Sequence, residues 1–359
     1  MEKININKKM IEHENKIQII NDIIVPDIKP DIINIITTNG IPYIYKEDCE
    51  NGRIKLDGSI DTRIVYLSVD GDTRCIQTIL DFSDILDNEK IKDKSYIKYK
   101  IEIDNLSIKV LNERKLNIKA EILIKYIMLE EESIEFNKSF LETIPDLQIQ
   151  EENIKLKNSI GMNKTKITLK EDIAAESLEE IAEILKCDVK LNNFEKKISY
   201  NKILVKAEAN VEILYITEDG TLKSLRNIYP IMSFCDMENV KEDDIVGFEY
   251  NIKNIIMKIN DRDSHTITFQ MEFNLYCEVF EEKEINIIKD AYSLNNALEV
   301  LFKKIEIGRE YKKEEIEIEE NIKLENIKKI ASLENKKIVE LSTIFYYFGI
   351  FKFFYFDGK

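Results

Sequence analysis

Histidine is nearly missing from this 359-residue chain, with two copies, and glycine is scarce, with ten. His13 lies near the N-terminus and His265 in a hairpin turn region, so neither a catalytic triad nor a histidine-bearing metal site finds support. No glycine-rich loop of the kind that cradles phosphate occurs. Basic charge is also short. Lys plus Arg number 52 against 68 Asp plus Glu, a net charge of −16, which argues against the basic face that a nucleic-acid backbone needs. Cys49, Cys75, Cys187, Cys235 and Cys277 are odd in number and widely spread, which argues against a disulfide framework or a zinc cluster and leaves reduced thiols as the expectation. Residues 1–20 lack the order of basic, apolar and small-residue segments that marks a signal peptide, so a cytosolic start is expected. Carboxylate runs such as Glu130-Glu131-Glu132 read as solvated faces or linkers, and no pair stands out as an acid and its base. These absences point away from an enzyme: catalytic, metal and cofactor-binding residues are all expected to be none.

What the chain does have is 44% hydrophobic residues, enough for a buried core, and a repeat. Ile54, Leu56, Ile60, Ile64, Tyr66 and Gly71 return 149 positions on as Ile203, Val205, Ala209, Ile213, Tyr215 and Gly220. The register recurs a third time, since Ile167, Leu169, Ile173, Ile181 and Ile184 match Ile316, Ile318, Ile322, Ile330 and Leu333. Solenoid repeats run to about 20–50 residues, so a period this long is a domain. The expected division is residues 1–150, residues 151–305, and an incomplete third unit over residues 306–359 with an aromatic tail.

Within a unit the signals are mostly those of strands. Ile54, Leu56, Gly58, Ile60, Thr62, Ile64 and Tyr66 alternate with Lys55, Asp57, Ser59, Asp61 and Arg63, the period of a strand with one wet face. Asp70-Gly71 and Asp219-Gly220 supply the positive φ of a tight hairpin. Gly58, matched by Ala207, marks a place where the strand bends or another backbone comes close. Tyr66 and Tyr215 fall on the apolar face and read as core. A second hairpin turns at Asn112-Glu113-Arg114 and again at Asp261-Arg262-Asp263. A short helix is expected at the start of each unit: after Pro26 to Asp31 through Ile32, Ile35 and Ile36; from Ser177 and Glu180 as a capping box through Ile181, Ile184 and Leu185; and from Asn326 through Leu333. The acidic stretches 130–138 and 281–289 are expected to lead into linkers. The fold class that results is mainly β: tandem antiparallel β-sandwich or open-barrel domains, each with a short N-terminal helix. The aromatic stretch from Phe345 to Phe356 reads as a strand of the incomplete unit, with a membrane-contacting tail as the sharper alternative; it is too short for a bilayer span of about 20 residues and Lys352 interrupts it.

Val25-Pro26-Asp27-Ile28-Lys29-Pro30-Asp31-Ile32, then Leu56-Asp57-Gly58, Ile64-Val65-Tyr66 and Asp70-Gly71, resembles the SPOCS domain of endospore-forming Firmicutes. The second unit repeats the pattern as Ile213-Leu214-Tyr215-Ile216-Thr217-Glu218-Asp219-Gly220. The family-motif positions are therefore Pro26, Asp27, Pro30, Asp31, Gly58, Tyr66, Gly71, Tyr215 and Gly220, all expected to be structural. The resemblance implies a non-enzymatic scaffold of the spore coat in the mother-cell cytoplasm at the forespore surface. It acts through protein–protein contacts with coat morphogenetic proteins, among them the basement ATPase SpoIVA, and self-association is allowed. Coat morphogenetic members of the family also carry a C-terminal LysM domain of roughly 45 residues, for which the sequence leaves no room after Leu333, so the SpoIVA contact is expected to be weakened. The rival reading is an envelope- or membrane-associated module anchored by the aromatic tail.

Overall fold

Alternating, isoleucine-rich segments separated by polar turns give strands, and the computed structural model consists of strands and turns throughout the residues it describes: 2–93, 95–136, 146–175, 180–294, 301–308 and 348–355. Six strands form the first unit: β1 (Glu2–Ile24), β2 (Ile32–Glu50), β3 (Arg53–Ser68), β4 (Thr73–Asp87), β5 (Tyr96–Asn112) and β6 (Lys115–Phe136). Six more form the second: β7 (Gln148–Ala174), β8 (Ile181–Ser199), β9 (Lys202–Thr217), β10 (Leu222–Asp236), β11 (Ile245–Asn260) and β12 (Asp263–Tyr292). The 149-residue offset read from the sequence carries β2, β3 and β4 onto β8, β9 and β10 residue for residue.

Each unit builds two three-stranded sheets. In the first they are β1-β6-β5 and β2-β3-β4, in the second β7-β12-β11 and β8-β9-β10, and all neighbours are antiparallel. The apolar faces of both sheets meet in one core per unit, as stacked antiparallel sheets do. Ile54, Leu56, Ile60, Ile64 and Tyr66 of β3 pack with Leu116, Ile118, Ile122 and Tyr126 of β6. Ile203, Val205, Ile213 and Tyr215 of β9 pack with Phe269, Met271 and Phe273 of β12.

The expected helix at the head of the first and second units is a strand. Ile32, Ile35 and Ile36 lie in β2, and Ile181, Ile184 and Leu185 lie in β8; Ser177 and the start from Asn326 to Leu333 lie outside the described residues. The physical cause is a pair of β-bulges. Register shifts follow Ile32 and Ile35 in β2, and Ile181 and Ile184 in β8. Each bulge adds one residue to the strand, so core-facing side chains recur three apart and imitate the spacing of a helix. The β-branched isoleucines favour the strand.

Where they are described, the acidic stretches belong to the last strands rather than following them. Residues 130–136 continue β6 and residues 281–289 continue β12, which pairs with β7 as far as Gln148. Ile285 and Ile287 inside the charged run are buried with Ile4, Ile154 and Leu156 in a small third cluster, drawn from both units. Two further strands, β13 (Leu301–Gly308) and β14 (Phe348–Tyr355), pair antiparallel, so the described part of the aromatic stretch is extended. Among the described residues no helix is long and apolar enough to cross a membrane.

Gly71 and Gly220 turn their hairpins with φ of +85° and +80°. A methyl group at either position meets no atom within 4 Å, so its cost is backbone strain alone. Gly71→Ala and Gly220→Ala are each expected to destabilise the chain by about 1–2 kcal/mol in urea denaturation; no change in the midpoint would contradict the left-handed turn.

Candidate functional site

The crossover from β1 to β2 brings most of the motif positions of the first unit to one corner. Pro26 and Pro30 limit the loop's freedom, and Arg114, at the tip of the β5–β6 hairpin, holds its carbonyls. The guanidinium donates to the carbonyls of Val25 (3.0 Å), Pro26 (3.1 Å) and Lys29 (3.3 Å) and to the carboxylates of Asp31 (2.6 Å) and Asp27 (3.4 Å). The Tyr66 hydroxyl reaches up from the core to donate to the Pro30 carbonyl at 3.1 Å, and burial pushes its pKa up to about 12. Val69, beside the Gly71 turn, donates its N–H to the Asp31 carbonyl at 3.0 Å. Pro26, Asp27, Pro30, Asp31, Tyr66 and the Gly71 hairpin are thus brought together. Gly58 stands apart, mid-strand on β3 opposite Phe82 of β4. Tyr215 and Gly220 occupy the matching places of the second unit, where Asp263 replaces Arg114 and hydrogen-bonds within its own hairpin to Thr266 and His265. Tyr215 is buried like Tyr66.

This corner abuts the second unit. Lys29 pairs with Glu183 of β8 at 2.9 Å, Arg74 approaches the same carboxylate at 3.9 Å, and the Cys75 N–H donates to it. Beside this pair, Val65 and Cys75 pack on Leu185 and Ile216. Leu185 is the second bulge residue of β8; its first-unit counterpart, Ile36, is exposed. The bulge therefore places a leucine on the outer face, where the first unit covers it.

The junction overturns the wet face expected for β3. Ser59, Asp61 and Arg63 are buried, Arg63 to 3% and Asp61 to 4% exposure. Arg63 donates to the carbonyls of Ile184 on β8 (3.1 Å) and Met257 on β11 (2.9 Å), with Asp61 at 3.6 Å. Gln77 donates to Asp61 at 2.8 Å and the Ser59 hydroxyl donates to the exposed Asp81 at 2.6 Å, which gives buried Asp61 and Ser59 the partners that burial demands. On β5 of the first unit, Lys98 inserts between Glu249 (3.0 Å) and Glu278 of the second. Burial alone would lower the Lys98 pKa; Glu278 and Glu249 outweigh it and hold the ammonium above its usual value. Asn251 adds a side-chain hydrogen bond to the Tyr99 carbonyl. A buried arginine whose two acceptors come from different strands fixes how one unit sits on the other, because an altered angle would strand its charge.

Reasoning from one strand at a time misses Arg63, Lys98 and Glu183. A signal does exist in the repeat: Arg63 aligns with Glu212, Lys98 with Gly247 and Glu183 with Asn34, so these outward positions break the likeness that the core keeps. The histidines are separate, His13 at 6.4 Å from the Tyr126 ring and His265 at 3.3 Å from Asp263 in its own turn. All five cysteines are free thiols. Among the described residues no group of three or more His, Cys, Asp or Glu is placed to hold a metal ion.

Residues 180–260, which run from the head of β8 to the end of β11, match the family described as SipL, SPOCS domain. The stretch 149 residues earlier, β2 to β5, has the same strand order and pairing. No curated protein and no solved structure matches the chain.

Proposed function

We propose that this chain, which carries a SPOCS domain like that of SipL and so has a sporulation-related role, is a non-enzymatic scaffold of spore-coat assembly. Its partners are coat morphogenetic proteins of the SpoIVA kind, met in the mother-cell cytoplasm at the forespore surface. The observation that carries this reading is the docking of two units through buried charge, combined with matched apolar residues left outside. Ile79 and Ile85 on β4 recur at the same positions on β10 as Ile228 and Phe234, and all four are about half exposed. β4 and β10 are both edge strands. Pro230, in the middle of β10, has no N–H to give an added strand. Contacts through the outer face are thereby favoured over strand addition. Two such faces on one chain raise avidity through effective concentration, which suits a shell built from many weak contacts.

The test is imaging and capture in sporulating cells. A fluorescent fusion is expected to collect at the forespore surface, and Ile79→Asp with Ile228→Asp to disperse it without lowering the melting temperature. A tagged chain is expected to co-purify SpoIVA from sporulating cells. Localisation to vegetative membranes, with lipid flotation that depends on residues 345–356, would replace the coat reading by envelope attachment.

A further inference from the structure

A cleft of about 380 Å³ opens between the two units, lined by Tyr43, Tyr45 and Ser59 of the first and by Lys166, Lys253 and Glu272 of the second. Two β-bulges aim side chains into it. Tyr45 is the extra residue between Ile44 and Lys46 of β2, and Lys253 the extra residue between Ile252 and Asn254 of β11. Bulges re-aim side chains and recur beside functional sites.

The internal repeat sharpens the point, since both bulges occur in both units. The counterpart of Tyr45 is Phe194, which stacks on Phe248 with ring centroids 5.7 Å apart. The counterpart of Lys253 is Asp104, which has its own partner in Lys16 at 2.6 Å. Lys253 differs. Lys166 is paired with Glu272 at 2.7 Å, whereas the Lys253 ammonium donates only a long hydrogen bond, to the Tyr99 hydroxyl at 3.5 Å. Among the described residues it has no carboxylate within ion-pair distance, although it is half-buried. Burial pushes its pKa below the usual value; Glu47 opposes this, while Lys164 and Lys166 reinforce it. A half-buried ammonium without a counter-charge is costly, and an anion in the cleft would remove that cost.

We propose that this inter-unit cleft is an oxyanion site, in which Lys253 pairs with a carboxylate or phosphate group while Tyr45 covers it from the other unit. Two lysines and one glutamate leave the walls with an excess of one positive charge, suited to a single acidic group. The site stands independently of the coat reading.

The experiment is calorimetric titration of the full chain with hexaglutamate and, separately, with inorganic phosphate, at low and physiological salt. Lys253→Met is expected to weaken binding at least tenfold while melting no lower than the parent, because it removes an unpaired charge. Tyr45→Ala, at a side chain about half exposed, is expected to weaken binding severalfold with the fold intact. Lys206→Met, on the open face of β9, serves as the control and is expected to bind like the parent. Binding of hexaglutamate alone assigns the site to an acidic protein segment; binding of phosphate alone, or of both with equal dependence on Lys253, assigns it to a free oxyanion. Binding of neither probe, full binding by Lys253→Met, or equal losses in Lys253→Met and Lys206→Met would overturn the proposal.

Discussion

Arg63→Met is expected to destabilise the chain by about 3–5 kcal/mol, the range for breaking a buried ion pair by removing one partner. The guanidinium is all but sealed from water, and its loss strips donors from the carbonyls of Ile184 and Met257 and a counter-charge from Asp61. Methionine fills part of the volume and satisfies none of those groups. The matching substitution in the second unit, Glu212→Met, removes a half-exposed carboxylate paired with Arg226 at 3.2 Å, and is expected to change stability by less than about 1 kcal/mol. Urea denaturation of both variants reads the contrast. Similar midpoints for the two would mean that the outer face of β3 is wet after all.

Gly58→Ala is expected to cost about 2–3 kcal/mol, as overpacking of a filled core does. A Cβ at this position would fall on the Phe82 ring and 2.5 Å from the Tyr43 carbonyl oxygen. The second unit shows how an alanine can be housed. Ala207 stands opposite Ile231 in place of phenylalanine, and β8 bulges between Asn192 and Glu195 beside it. The first unit has Ile44 paired directly with Gly58. Phe82→Ile is accordingly expected to recover part of the loss when combined with Gly58→Ala, with a coupling of about 1 kcal/mol or more between these neighbours. The backbone contact with Tyr43 limits the recovery. Additive single effects would show that the ring is not what excludes the methyl group.

Much of a single unit is legible in the chain. Period-two alternation locates β3 and β9, the Asp-Gly pairs locate their hairpins, and Tyr66 and Tyr215 are in the core where alternation puts them. The heads of the first two units are misread because paired bulges after Ile32 and Ile35, and after Ile181 and Ile184, turn a period of two into one near three. The acidic ends of the last strands are misread because charge density hides Ile285 and Ile287, which alternate correctly within the run at 281–289. The burial of Ser59, Asp61 and Arg63 follows from no property of β3 itself. Polarity states what a side chain needs, and a neighbouring domain can supply it as well as water can. The motif positions of the corner are legible as a set, but Arg114, which ties them together, is not; the junction and its cleft depend on how two units meet, which alternation cannot encode.

The central claim is that the two units form one docked body whose joint is closed by Arg63, Lys98 and Glu183. Differential scanning calorimetry of the full chain tests it most directly. One cooperative transition is predicted for the parent, with calorimetric and van't Hoff enthalpies in agreement, and two resolved transitions once Arg63→Met and Lys98→Met are combined. Two independent transitions in the parent, unmoved by those substitutions, would contradict it.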